Sequence, residues 1–317
     1  MLVLAFFVEA FVHHCGEHVR NRFLYTLTRR ITMKGITLLS CLISTLATVA
    51  QVPKEKTLLW KIEGNGLKSA SYLYGTMHLM CPDDITIHPK LTSAFNSSSQ
   101  LLLELDMDDP KLMFAMMGGM AMKDTFKISS LMSKKDFDSV SAIFKSKTGM
   151  SLTLLNKTKP ILLMTMIYPS MLGCAPEGWE GRFQAMAKEK GIELKGLETI
   201  EEQMAVFDSI PYKIQAEMFK KTMYSIDSAK QTLFDMVKMY KTKDIDKLYR
   251  MSTSDEDFGK YDEVLLNKRN RNWISRMAKE MKSLPTFFAV GAGHLGGPQG
   301  VISLLRKKGY KVSPVMY

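Results

Sequence analysis

Apolar and polar positions along the chain change period several times, and each change predicts an element. Leu58-Leu-Trp-Lys-Ile-Glu63 and Ala70-Ser-Tyr-Leu-Tyr74 flank Gly64-Asn-Gly66, the pattern of a hairpin with a glycine-rich turn. A short helix follows over Lys90–Phe95, then a continuous apolar strand over Gln100–Leu105. The stretch Pro110–Gln184 reads as mostly helical, and in Lys134–Lys147 the residues Phe137, Val140, Ile143 and Phe144 share one helical face. Ile192–Leu197 is another strand, running into Thr199-Ile-Glu-Glu202, a capping-box start for the next helix. Amphipathic helices are predicted over Pro211–Tyr240 and Asp244–Met251, with a charged one over Glu263–Lys282. The chain closes with strand Thr286–Val290, a glycine turn, helix Val301–Lys308 and strand Lys311–Met316. With no long linker and no repeat, this order predicts one α/β domain, a mixed central sheet with flanking helices and a helical insertion.

Glycine and histidine sharpen the picture. Two Gly-x-x-His tetrads, Gly75-Thr-Met-His78 and Gly291-Ala-Gly-His294, each follow a predicted strand. A glycine ending a strand can turn sharply and lift a histidine above the rim of a sheet, and two such turns on neighbouring strands aim two imidazoles at one point. Gly75, Gly291 and Gly293 are the candidate cradle. Neutral imidazole is a common ligand for divalent transition metals, and two histidines with a carboxylate suit a hydrolytic or oxidative site. Glu104 and Asp106 are the nearest carboxylates to consider, because period two puts both on one face of the strand opposite Leu101, Leu103 and Leu105. A glutamate in so apolar a strand is costly to bury unless paired, protonated or metal-bound. Glu198 ends a strand and either leans over the sheet edge or supports the next helix N-terminus. His88, beside Pro89, reads as an exposed bystander.

Several alternatives fall away. Gly291-Ala-Gly-His-Leu-Gly296 matches a dinucleotide fingerprint, but no acidic residue follows His294 and only one strand remains, so no dinucleotide is expected. Gly296-Gly297 could still offer backbone N–H groups to an oxyanion. No Gly-x-Ser-x-Gly nucleophile turn is present. The Met-rich piece Met113–Met122 reads as adaptable apolar packing rather than a soft-metal site, and Gly118-Gly119 suggests a mobile flap. The net charge of +11 is dispersed: Arg20, Arg22, Arg29, Arg30 and Lys34 against Glu9 and Glu17 supply +3, leaving +8 for residues 51–317. Basicity spread in this way reads as a solvated surface, and no nucleic-acid partner is expected.

Residues 33–50, a basic start followed by an apolar run with small residues at its end, read as a secretory signal peptide cleaved after Ala50. Met33 is then the expected initiator and residues 1–32 an extension from a misassigned start, which also removes the metal-like tract His13-His14-Cys15-Gly-Glu17-His18. Export to the periplasm or outside the cell is expected, with membrane association only through an uncleaved signal segment; Cys41, in a lipoprotein-like box, makes lipid anchoring a minor alternative. The mature chain, residues 51–317, keeps Cys81 and Cys174 where disulfides persist. A bridge between them would pin the loop beyond His78, although the sequence does not show that they meet.

Tyr74-Gly-Thr-Met-His78, Leu103-Glu-Leu105, Gly196-Leu-Glu-Thr-Ile-Glu-Glu-Gln203 and Gly291-Ala-Gly-His-Leu-Gly-Gly-Pro-Gln-Gly300, taken in order, resemble the TraB/PrgY/GumN family, which includes the Tiki proteases. The similarity spans Leu58–Val315. It implies a metal-dependent hydrolase on a scaffold related to the erythromycin-esterase and ChaN-like folds, using manganese or cobalt, with zinc possible, on a peptide or protein substrate. By motif matching the catalytic and metal-holding roles fall on His78, His294 and Glu104, with Glu198 in the family's Gly-Leu-Glu-Thr pattern. Glu104 would be either a third ligand or the general base. Cys81 departs from the family pattern. Many bacterial members have no established substrate, so a ligand-binding or regulatory protein for a peptide, pheromone or haem-like molecule is the alternative.

Overall fold

Short runs rich in aromatic and branched residues pair into one six-stranded sheet in the computed structural model, which describes residues 55–254 and 259–317. The expected extension, the signal segment with Cys41 and the histidine-rich tract lie outside those residues. The strands are β1 (Leu59–Glu63), β2 (Ser71–Thr76), β3 (Gln100–Leu103), β4 (Glu193–Gly196), β5 (Thr286–Gly291) and β6 (Lys311–Pro314). Their order across the sheet is β4-β3-β5-β2-β1-β6. Strands β4, β3, β5 and β2 are mutually parallel, and β1 runs antiparallel to both β2 and β6. The expected mixed α/β architecture is therefore present.

Parallel strands buried on both faces should be apolar throughout rather than alternating. Leu101, Leu102 and Leu103 of β3 and Phe287 to Val290 of β5 are buried without interruption. Glu104 thus does not alternate within the strand; it is the first residue past the strand's carboxyl end. Register sets the rest of that edge: Thr76 of β2 lies opposite Gly291 of β5, and Leu103 of β3 opposite Gly196 of β4. All four parallel strands deliver their following loops to one rim, the place where open parallel sheets bind ligands.

Two apolar clusters support this rim. One surrounds the sheet and includes Trp179 and Phe183 from helix Trp179–Lys190, Trp273 and Met277 from helix Lys268–Ser283, and Val301 and Leu305 from helix Val301–Lys307. The other is helical, joining Phe144, Leu163 and Met171 to Phe207, Phe219 and Leu233. The expected insertion is thus half of a helical layer, whose other half follows β4.

Two helix expectations need correction. The span Pro211–Tyr240 breaks at Ser225 into Tyr212–Tyr224 and Ile226–Lys241. The first half packs on Pro160–Thr165 and the second on Tyr168–Leu172. Following two separate partners requires a bend that no proline or glycine signals. The charged helix opens with a π-helical turn, Glu263–Asn267, before its α-helical part Lys268–Ser283. Cys81 and Cys174 form a disulfide, with Cα atoms 5.9 Å apart, which ties the loop after β2 to the segment beyond helix Tyr168–Leu172.

Candidate functional site

The loop after β2 is held in place before its histidine does anything. Met80 and Glu177 exchange backbone hydrogen bonds of 3.0 and 2.9 Å, and the disulfide closes the same loop one residue later. His78 projects from it with its side chain 7% exposed. Its Nδ1 lies 2.8 Å from Glu180 Oε1, which also accepts a 2.6 Å bond from Thr76 Oγ1. Glu180 occupies the first turn of helix Trp179–Lys190, where negative charge is favoured. A carboxylate on Nδ1 places the proton there and leaves Nε2 facing inward, 3.8 Å from Glu104 Oε1.

The second histidine is oriented by an amide instead. Asn270 Nδ2 donates to the Gln299 carbonyl at 2.9 Å, which fixes the amide so that Oδ1 meets His294 Nδ1 at 2.6 Å. Nδ1 therefore donates, and His294 Nε2 accepts from Arg269 Nη1 at 3.2 Å while lying 3.9 Å from the same Glu104 Oε1. The imidazole rests against Trp273, ring centres 4.5 Å apart.

Glu104 is the hub. Its Oε1 takes the Gly291 N–H at 2.8 Å and its Oε2 takes Arg269 Nη2 at 2.6 Å. Arg269 also holds Glu198 through Nη2 and Nε, at 2.6 and 3.0 Å. Glu198 receives further bonds from Gln203 and Trp273, at 2.9 and 3.2 Å. It thus stands behind the guanidinium rather than beside the imidazoles.

Burial sets the electrostatics and specific partners redirect them. For Glu104, desolvation opposes ionisation, yet Arg269, then the two histidines and the Gly291 N–H, hold the carboxyl down at about 2. Burial depresses His294 to about 3, and Arg269 adds to the effect, so this imidazole is neutral. Burial also opposes charge on His78, but Glu180 outweighs it and raises the pKa. Glu180 itself is lowered: burial resists, and His78 followed by Thr76 prevail. Arg269 is pushed up, its burial overcome by Glu198 and Glu104. Once His78 gives up its extra proton, as a ligand must, the three carboxylates and one guanidinium leave a buried charge of −2, which a divalent cation would offset.

Gly291 marks where such a cation would fit. A Cβ there would lie 3.2 Å from His78 Nε2, 3.3 Å from Glu104 Oε1 and 3.5 Å from His294 Cδ2, so the three side chains face one space that only glycine leaves open. Gly75 serves close packing instead: its Cβ would come 3.0 Å from Leu295 and 3.2 Å from Ala292. Gly293 lies buried in the 3-10 turn Ala292–His294. Among the described residues no group of three or more His, Cys, Asp or Glu stands as a preformed metal cluster. The donors are slightly spread, at 3.8 and 3.9 Å, inside the roughly 4.2 Å limit for two ligands each about 2.1 Å from one ion. Nitrogen and carboxylate donors with excess buried negative charge fit a divalent ion.

Asp106 stays out of this cluster; burial and then Asp108 raise it to about 6. His88 is also remote, although it is no idle residue: its Nδ1 caps helix Pro89–Asn96 by accepting from the Lys90 N–H at 3.2 Å. Gly296 and Gly297 are buried against Ile245 and Tyr249, which points to packing rather than an open oxyanion nest. Glu180, Arg269, Asn270 and Trp273 were not singled out by sequence. Arg269 and Asn270 sit within a run of basic residues that reads as solvated surface, and Glu180 carries no pattern beyond its place near a helix start.

No curated protein matches the chain, and no solved structure does. The model of the TraB/PrgY/gumN family matches residues 58–314, a span that takes in all six strands and every side chain of the buried cluster. The chain belongs to the TraB/PrgY/gumN family.

Proposed function

We propose that this chain is a metal-dependent hydrolase cleaving peptide bonds, with His78, His294 and Glu104 holding a divalent ion. Manganese and cobalt are favoured by the family resemblance, and zinc is compatible with the donors. One observation carries the reading: imidazoles from opposite ends of the chain approach the same carboxylate oxygen at 3.8 and 3.9 Å. Bound there, the ion supplies Lewis acidity to water and to the scissile carbonyl. Glu180 and Asn270 keep both Nε2 lone pairs inward. Glu104, ionised, either completes the ligand set or takes a proton at Oε1. Arg269 Nη1, released from His294 Nε2 when that nitrogen takes the ion, would be free to offset negative charge growing on a carbonyl oxygen. Beside Arg269, Glu198 and Trp273 lies a cavity of about 280 Å³ that also reaches Glu202, Lys268 and Arg276; it is lined by none of the three ligands and meets the buried cluster at Arg269 and Glu198. The disulfide accords with an exported protein, since such bonds persist in oxidising compartments.

Elemental analysis of the purified chain, with a peptide library screened in added manganese, cobalt or zinc, tests the reading. The expected result is a stoichiometric ion and cleavage that falls to background in His78→Ala and His294→Ala while the fold is retained. Gly291→Ala is a finer probe: at φ −49° the backbone accepts alanine, so the fold persists while the new methyl fills the ion's space. Turnover surviving in either histidine variant refutes the assignment. The burial of Glu104 and His294 beneath Arg269 favours one second reading, a protein that holds a ligand without cleaving it. Stoichiometric metal with no cleavage of peptides, esters or lactones would establish that reading instead.

A further inference from the structure

Residues 111–159 carry nine lysines, three aspartates and neither arginine nor glutamate, a net +6 within a chain of net +11; Lys159 is buried against Asp208, which leaves +5 for the rest of the stretch. The same stretch shows Met113, Phe114, Met117, Phe126, Met150 and Leu154 to solvent, half of the large exposed apolar side chains among the described residues. Charge and apolar exposure thus coincide on one part of the helical layer.

Helix Leu112–Gly119 accounts for the exposure. Leu112, Ala115 and Met116 pack against the helical core, and a Cβ on Gly119 would strike Met204, so these positions form the inward face by helical spacing. The outward face is Met113, Phe114 and Met117, with Phe114 79% exposed. A helix apolar on both faces is ordinarily buried. The neighbouring loop is stitched alongside: Ala121 bridges Thr158, the Met122 N–H donates to Lys157 O at 2.7 Å, and the Ile128 N–H donates to Asn156 O at 2.8 Å. These contacts set the segment bearing Leu154, 87% exposed, beside the one bearing Phe126. Lys111, Lys127 and Lys157 are exposed among them.

We infer that this face docks on an anionic lipid surface, Met113, Phe114 and Met117 entering the headgroup–acyl boundary while the lysines meet the headgroups. Apolar side chains on one side with cations around them are what interfacial binding uses. A second copy of the chain is disfavoured as occupant, because it would set one lysine-rich stretch against another.

The test is vesicle co-sedimentation of the full chain, comparing phosphatidylcholine alone with equal parts phosphatidylcholine and phosphatidylglycerol. Binding is expected only with the anionic lipid, and Lys111→Gln and Lys157→Gln should each weaken it about fivefold. Added salt should weaken it further, and Phe114→Ser should largely abolish what remains. Phe114→Trp gives a local reading that binding by residues 1–54 cannot mimic: its emission should move to the blue on anionic vesicles and be quenched by brominated lipid. Unchanged emission, or variants that bind as the parent does, overturns the inference. So does a fall in solution mass on Phe114→Ser without lipid, which would make a second copy the occupant, and so does retention of the patch by an acidic protein but not by vesicles.

Discussion

Glu180 decides which nitrogen of His78 is available. Its carboxylate accepts a hydrogen bond from Nδ1–H and turns Nε2 toward the space beside Gly291, so Glu180→Gln should weaken ion affinity about 10- to 100-fold while leaving the donors in place. Isothermal titration with manganese measures it, and an unchanged affinity would reduce Glu180 to a packing role. His294 makes a second residue-scale prediction. Its pKa in the fold lies near 3, below the ordinary 6.5, so the unfolded chain takes up the proton first as pH falls. The stability this contributes is complete above about 6.5 and is lost progressively toward 3. His78 has the opposite sign: its raised pKa gives stability present below the unfolded value and lost as pH rises through the folded one. Glu104, lowered from 4.5 to about 2, loses its contribution only below 4.5. Between 6.5 and 5 the loss at His294 is partly offset by Asp106, whose raised value of about 6 adds stability as pH falls, so the difference between parent and His294→Gln isolates His294. In metal-free protein the melting temperature of the parent, measured relative to His294→Gln, should drop across this interval.

At the level of elements, the readable features were those with local causes. The strand runs around Trp60, Leu73, Leu102 and Phe288 show themselves by composition, and Thr199 and Glu202 form the reciprocal capping box their spacing announced. What long-range packing decides was not legible. The break at Ser225 follows two partner helices, and the π-turn ahead of Arg269 answers contacts that residues 263–267 do not spell out. Spacing showed that Gly75-x-x-His78 and Gly291-x-x-His294 could meet, because both tetrads end strands. It could not show Glu180 or Asn270, which come from helices that reach the rim only in three dimensions. The bridge between Cys81 and Cys174 was left open for the same reason. Closing a loop of separation 93, it should stabilise the fold by about 4 kcal/mol on a chain-entropy basis. Urea denaturation of the Cys81→Ser/Cys174→Ser variant measures this, and a loss below about 1 kcal/mol would mean that the packing already fixes the loop.

For the whole molecule, one rim gathers the candidate residues that follow strands: His78 after β2, Glu104 after β3, Glu198 after β4 and His294 after β5. The sheet does this by direction alone, since parallel strands must release their loops on the same side. The helical layer beyond holds the exposed methionines and a lysine-rich stretch.

Arg269 carries a consequence of its own. Small metal-built domains fall apart under chelators because nothing else balances their ligands. Here a guanidinium tethered by two glutamates acts as a resident counter-ion, and an ion entering the space beside Gly291 competes with it for His294 Nε2. Dialysis against EDTA should therefore leave the melting temperature within a few degrees of its starting value, and loading should be reversible on a chain that never unfolds. A collapse on chelation would mean that the arginine cannot do the ion's electrostatic work.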